Sequence, residues 1–246
     1  MKLHFVGTSH GVPSATRFCS CSIIETQGRL YVFDVGAPLT ESILKMGFHP
    51  SDVKAIFTTH SHADHVSGLC DYCTLVGWYY LEHSLPVHIT ETDLGDAIKN
   101  FYLATSKHEL PDRIKFVTVD KNFVYDDGFI KISYIPTNHL WYANRPSYSI
   151  LVEVEGRRVL LSGDFSNNLS QKDVPVEVLK TPLDAFVCEL AHFSFEELAP
   201  YLSGCNAKTI FFNHIFPLDK IEDINKNSGK FVSPFVVVSD GDVFEI

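Results

Sequence analysis

Apolar residues along this chain fall mostly in short strand-like blocks separated by turn formers. Leu3-His4-Phe5-Val6 reads as a strand running into the turn-rich Gly7-Thr8-Ser9-His10-Gly11-Val12-Pro13. Residues 21–26 and 30–34 bracket Gln27-Gly28-Arg29, the pattern of a hairpin. Residues 38–45 carry a helical pattern closed by Gly47, and residues 53–59 form a buried-type strand that ends at a group of histidines. The stretch 69–110 is mixed: the aromatic run Trp78-Tyr79-Tyr80 is assigned to its core, and residues 94–104 to a helix. Strands return at 115–119, 129–136, 147–154 and 157–162, with Glu155-Gly156 as a tight turn between the last two. Residues 184–188 read as a strand. A helix over 194–202 follows, with Ser194 as N-cap and Glu197 three positions later, then strands at 207–213 and 235–239. No linker, low-complexity run or long repeat interrupts this order. It predicts one domain over 1–246 of mixed α and β layers, with an inserted segment around 69–110.

Composition narrows the class. With 246 residues, 45% apolar and 20% charged, the chain has material for a full core. Twenty Lys and Arg against thirty Asp and Glu leave a net charge of −10, which argues against a general nucleic-acid binder. It leaves open a small phosphate ester held by metal ions. No apolar run approaches the roughly 18 residues of a membrane span, and the start lacks the apolar core of a secretory signal. The cysteines are Cys19, Cys21, Cys70, Cys73, Cys188 and Cys205. Reduced thiols and a cytoplasmic setting are expected. The CxC and CxxC pairs have no second pair at knuckle spacing and read as small buried residues. Twelve histidines in an acidic chain remain to be explained.

His60-Ser61-His62-Ala63-Asp64-His65 follows directly on a strand. Positions two apart in an extended segment point the same way, so His60 and His62 can grip one ion. A turn into a helix would present Asp64 and His65 to a second. Three histidines and an aspartate in six residues resist a packing role, because each would otherwise need its own polar partner.

This HxHxDH motif resembles that of the metallo-β-lactamase-fold hydrolases, and the resemblance runs along nearly the whole chain. Asp34, in Phe33-Asp34-Val35-Gly36, is similar to the acidic residue that supports the metal loop. His139 matches the third metal histidine, Asp164 the carboxylate that bridges two metals, and His214 the last ligand. The resemblance implies an α/β fold, a four-layer αββα sandwich with its site at one edge between the sheets. It implies that His60, His62 and His139 hold one divalent ion and Asp64, His65 and His214 the other, with Asp164 between. Zinc suits such donors best, and manganese or iron are admitted. Two ions roughly 3.5–4 Å apart activate a water at neutral pH, and Asp64 would orient it.

The opening Gly7-Thr8-Ser9-His10-Gly11-Val12-Pro13 resembles the GTxxGxP start of the branch containing RNase Z and the phosphonate-pathway cyclic phosphodiesterase. That favours phosphodiester chemistry over β-lactam or thioester hydrolysis. His10 either faces the site or lies on the surface. Glu189-Leu190-Ala191-His192 resembles the segment where cyclic phosphodiesterases place a histidine that protonates the leaving group. An ordinary histidine pKa near 6.5 suits that role, and a helix-capping or surface histidine is the alternative. Glu189 is similar to an acid that RNase Z uses beside its catalytic histidine, or else supports a ligand.

Two departures matter. No Gly/Pro-rich tRNA-clamping arm is seen, and residues 69–110 carry six acids (Asp71, Glu82, Glu91, Asp93, Asp96, Glu109) against Lys99 and Lys107. No third cysteine follows Cys19 and Cys21, so the structural zinc knuckle of the cyclic phosphodiesterases is not expected. Arg145, six residues after His139, is a candidate partner for a phosphate oxygen, and Trp141 and Tyr142 either stack on a base or are simply exposed or packing aromatics.

The expectation is a dinuclear metal hydrolase of a small or cyclic nucleotide-type phosphodiester, with Asp64 and His192 as catalytic groups. RNase Z-like tRNA 3′ processing, lactone or thioester hydrolysis, and a non-enzymatic metal-dependent sensor are the alternatives. All seven ligand positions are filled, which weighs against the sensor. The expected partner is a small ester, not a large nucleic acid or a membrane; oligomeric state is not set by the sequence.

Overall fold

Blocks rich in Val, Ile, Phe and Tyr become strands, and the sequence between them decides how they pair. The computed structural model describes residues 1–170, 172–227, 229 and 233–246. Two compact units emerge: Met1–Gly7, Gly11–Val119 and Asp240–Glu245 in the first, Thr8–His10, Asp120–Ser239 and Ile246 in the second.

The first unit contains β1 (Lys2–Gly7), β2 (Cys21–Thr26), β3 (Arg29–Phe33), α1 (Leu39–Lys45), β4 (Val53–Phe57), α2 (Ala63–Val66), α3 (Gly68–Tyr79), β5 (Leu85–Ile89), α4 (Thr92–Ser106), β6 (Ile114–Thr118) and, from the end of the chain, β14 (Val243–Glu245). Its sheet runs β14-β1-β2-β3-β4-β5-β6. β2 and β3 pair antiparallel through Gln27 and Gly28, whose φ angles of 49° and 72° match the twist of a tight hairpin. From β3 to β6 the strands are parallel and need helical crossovers, which α1, α3 and α4 supply. Ile23, Val32, Ile56 and Val87 of the strands pack with Leu69, Tyr72 and Val76 of α3 and Ile98 of α4.

Residues 68–110 provide α3, β5 and α4, and β5 lies between β4 and β6 in the sheet. The aromatic run there departs from expectation. Trp78 and Tyr79 are 45% and 74% exposed, and only Tyr80 packs against the core. α3 is apolar on more than its buried face, so its periodicity is blurred and the sequence did not reveal it as a helix.

The second unit contains β7 (Val124–Asp126), β8 (Ile130–Pro136), β9 (Tyr148–Val154), β10 (Arg157–Leu161), α5 (Val176–Leu179), β11 (Ala185–Leu190), α6 (Phe195–Leu202), β12 (Ile210–Ile215), α7 (Lys220–Lys226) and β13 (Phe235–Val237). Its sheet runs β13-β12-β11-β10-β9-β8-β7, antiparallel from β7 to β10 and parallel from β10 to β13. Phe186, Cys188 and Leu190 of β11 pack with Phe212 of β12 and Leu198 and Leu202 of α6. α6 opens with the expected capping box: Ser194 Oγ accepts from the Glu197 N–H at 3.3 Å, and the Glu197 carboxylate accepts from the Ser194 N–H at 2.7 Å.

Each unit thus supplies one mixed sheet and its helices, the contents of the two halves of the expected αββα fold. No helix among the described residues is long and apolar enough to cross a membrane, and none of the six cysteines is in a disulfide.

Candidate metal centre

A buried carboxylate at a strand end must be met by donors. In the first unit Asp34, directly after β3, is buried and holds a left-handed φ of 57°. Its Oδ1 accepts from the Thr59 N–H at 2.8 Å; its Oδ2 accepts from the Thr59 hydroxyl at 2.9 Å and from His65 Nδ1 at 2.7 Å. His65 therefore carries its proton on Nδ1 and presents a lone pair on Nε2. The Thr59 hydroxyl, its proton committed to Asp34, accepts from His60 Nδ1 at 3.0 Å, which gives His60 the same tautomer.

His62 follows in extended conformation as N-cap of α2, and one donor atom each from His60 and His62 lie within 4.8 Å. The first turn of α2 carries Asp64 and His65, with Asp64 Oδ2 3.6 Å from His65 Nε2. The loop after Asp34 is tied to this turn, since the Val35 N–H reaches the His65 carbonyl at 2.6 Å. Gly36 permits the close approach: a Cβ there would fall 1.8 Å from the Asp64 carbonyl oxygen.

In the second unit the donors come from separate strand ends, the usual place for ligands in parallel sheets. His139 follows β8, and its Nδ1–H donates to the Phe165 carbonyl at 2.9 Å, leaving Nε2 as the donor atom. Burial pulls the His139 pKa down, against the opposing pull of Asp164, and so favours the neutral ligand form. Asp164 follows β10 and is buried. Its Oδ2 lies 3.7 Å from His139 Nε2 and 3.8 Å from His192 Nε2, and its Oδ1 lies 3.4 Å from His214 Nε2. Ligands about 2.1 Å from one ion sit roughly 3–3.5 Å apart. These separations are close to that spacing and longer than ordinary hydrogen bonds.

His214 is aimed by an irregularity. Glu189 pairs with Asn213 and Leu190 with Ile215, so His214 is the extra residue of a β-bulge, with φ of 50°. Its N–H donates to the Thr8 carbonyl at 3.2 Å. His10 resolves from the two alternatives: its ring stacks on Phe216 at 4.2 Å and lies 5.7 Å from the His214 ring and 6.4 Å from that of His192.

Glu189 is buried and accepts from the Phe165 N–H at 2.7 Å, the Ala191 N–H at 2.8 Å and the His192 N–H at 3.3 Å. His192 Nδ1 meets both Glu189 oxygens at 2.9 and 3.0 Å, so its Nε2 is the atom turned toward Asp164. Arg145 is exposed, with its N–H on the Leu140 carbonyl at 3.3 Å. Trp141 and Tyr142 lie in a short 3₁₀ turn and are 60% and 64% exposed, so neither is a packing residue.

Three supporting residues escaped the sequence reading. Thr59, beside the motif, links Asp34, His60 and His65. Buried Asp173 joins the loops of His139 and Asp164 by accepting from the Asn138 N–H at 3.0 Å and the Ser166 N–H at 3.2 Å. Lys220 binds carbonyls of the loop that carries His192. Only Thr59 had a sequence signal, its adjacency to His60. His88 is the contrasting case: stacked on Phe57 at 4.5 Å and bonded to the Ile56 carbonyl, it is driven by burial to a pKa of about 4 and serves as a neutral core residue.

Comparison with known proteins places this geometry in a lineage. The chain matches the family described as Anti-Pycsar protein Apyc1 over residues 1–231. Ribonuclease Z of Oenococcus oeni is 29% identical over 149 residues, covering 56% of this chain and 45% of that protein. The chain spans about half the length of such curated relatives. Among solved structures, the metallo-β-lactamase fold protein YhfI of Bacillus subtilis superposes with a TM-score of 0.78 at 15% identity, over 99% of this chain and 98% of that one. A diphosphatase of the PhnP family gives 0.70 at 18% identity, over 100% and 97%. The chain therefore belongs to the Anti-Pycsar protein Apyc1 family, shares the metallo-β-lactamase fold of YhfI, and is similar in sequence to ribonuclease Z.

Proposed function

We propose that this protein is a metal-dependent phosphodiesterase acting on a small or cyclic nucleotide-type phosphodiester. One observation carries the reading: Asp164 sets Oδ1 3.4 Å from His214 Nε2 and Oδ2 3.7 Å from His139 Nε2, close to the spacing of donors that would hold divalent ions. In this reading His60, His62, Asp64 and His65 of the first unit and His139, Asp164 and His214 of the second would be the metal ligands. His60, His65 and His139 have tautomers that leave Nε2 for a metal, and the N/O donor set suits zinc before manganese or iron. Two divalent ions held there supply Lewis-acid activation of a water and of the phosphoryl oxygens.

The protein's own groups do the rest. Asp64 orients the attacking water. His192, with Nδ1–H fixed on Glu189, takes a second proton on Nε2 and, as the imidazolium, passes it to the leaving oxygen as its bond to phosphorus breaks. Asp34 and Glu189 hold their histidines, and Arg145 pairs with a phosphate oxygen of the substrate. The net charge of −10 weighs against a large polyanionic partner but not against a small ester, because divalent ions provide positive charge locally. In this reading residues 1–246 act as one catalytic domain, in the cytoplasm, with reduced cysteines.

Metal analysis of the purified protein, with assays on bis(p-nitrophenyl) phosphate and on cyclic nucleotides, tests the proposal. Absence of turnover with zinc and with manganese would sink it. Precursor-tRNA cleavage is the second reading, favoured by the ribonuclease Z relatives, and a lactone or thioester panel run in parallel covers the remaining electrophiles.

A further inference from the structure

Residues 191–194 connect β11 to α6 and carry His192. Lys220, the first residue of α7, reaches this loop from 27–30 positions away in sequence. Its Nζ donates to the Leu190 carbonyl at 3.2 Å, the Ala191 carbonyl at 2.8 Å and the Phe193 carbonyl at 2.8 Å. An ammonium has three N–H groups, and all three are used. The N–H groups of Ala191 and His192 turn instead to the buried Glu189 carboxylate. The loop is therefore held between a cation that collects its carbonyls and an anion that collects its amides.

We propose that Lys220 is a positioning residue for His192: its three-way grip sets the loop so that Glu189 holds the ring with Nδ1–H inward and Nε2 toward Asp164. The role rests on the reading of His192 as the group that protonates the leaving oxygen. Without the grip, three carbonyls lose their partner and the loop is free to turn the ring away from Glu189. Arginine is not a substitute, because a planar guanidinium cannot direct three N–H groups at carbonyls that converge on one tetrahedral nitrogen.

The full chain, loaded with zinc or manganese, is assayed on two esters. Bis(p-nitrophenyl) phosphate expels a stable phenolate that needs no proton, whereas opening a 3′,5′-cyclic nucleotide releases a ribose alkoxide that does. Lys220→Met is expected to lose turnover on the cyclic nucleotide about tenfold more than on the aryl ester, with His192→Ala showing the same bias. In metal-free protein, ¹⁵N imidazole spectra of His192 are expected to change from the Nδ1–H tautomer to a mixture in Lys220→Met. Equal losses on both esters, or an unchanged tautomer, overturn the proposal. Should Lys220→Met fail to fold, Lys220→Arg must show the same bias and the same tautomer change. Wild-type protein inert on both esters would remove the hydrolase reading, while the tautomer spectrum would still decide what Lys220 does.

Discussion

The two units share one plan: a sheet that begins as an antiparallel meander and continues as parallel strands with helical crossovers, bearing its polar donors at strand ends. They differ in how the donors are delivered. The first unit takes His60, His62, Asp64 and His65 from a single turn, oriented by one carboxylate and one hydroxyl. The second gathers His139, Asp164, His192 and His214 from four strand ends, held by Glu189, Asp173 and Lys220. A concentrated set depends on local backbone geometry; a dispersed set depends on the register of a whole sheet.

The largest expected effect tests the dispersed half. Asp164→Ala should lower phosphodiester turnover about a thousandfold and leave fewer than two ions bound, read by metal analysis. Two retained ions with full turnover would show that the second unit's donors are dispensable. Glu189→Gln should cost about a hundredfold in turnover while both ions remain, separating the orientation of His192 from metal capture.

A histidine outside the motif sharpens the contrast within the first unit. His88 has a folded pKa of about 4, below the ordinary value near 6.5, so between these values the unfolded chain binds a proton that the native one does not. Stability must then fall as pH drops through that window, by about 3 kcal/mol at most from this group. Urea unfolding should find that part of the pH dependence missing in His88→Phe, which keeps an aromatic ring against Phe57.

Asp34→Asn, at a backbone angle that asparagine tolerates, should weaken metal binding about ten- to hundredfold by titration and leave the fold intact. Ser194→Ala removes one cap bond of α6 and should cost about 1 kcal/mol in unfolding without changing metal content. A loss of metal there would mean that the dispersed half depends on helix position more steeply than the concentrated half depends on its clamp.

Legibility followed the same division. The HxHxDH turn could be read because alternation along a strand and the first turn of a helix suffice to aim its side chains. The Ser194–Glu197 box and the hairpin at Gln27-Gly28 were legible for the same local reason. His139, Asp164 and His214 could be matched only by resemblance, since nothing near them announces that the ends of alternate strands β8, β10 and β12 bring them together. Thr59, Asp173 and Lys220 act through backbone amides, carbonyls or a shared hydroxyl, and such partners leave little mark on sequence. β14 was missed because three residues acquire meaning only when they pair with β1. Trp78 and Tyr79 were misassigned because aromatic character alone does not tell which side of a helix a ring occupies.

The bulge at His214 has a consequence for tolerated change along β12. Along β11 the register steps from Asn213 to Ile215, so removing the residue between them would let that ladder close, at the loss of the backbone bond to Thr8. Such a deletion would shorten the chain by one residue, keep β11 and β12 paired and remove a proposed ligand. Fold and chemistry are therefore largely separable at this point: a variant one residue shorter here should keep its sheet, lose the bond to Thr8, and lose metal binding and turnover.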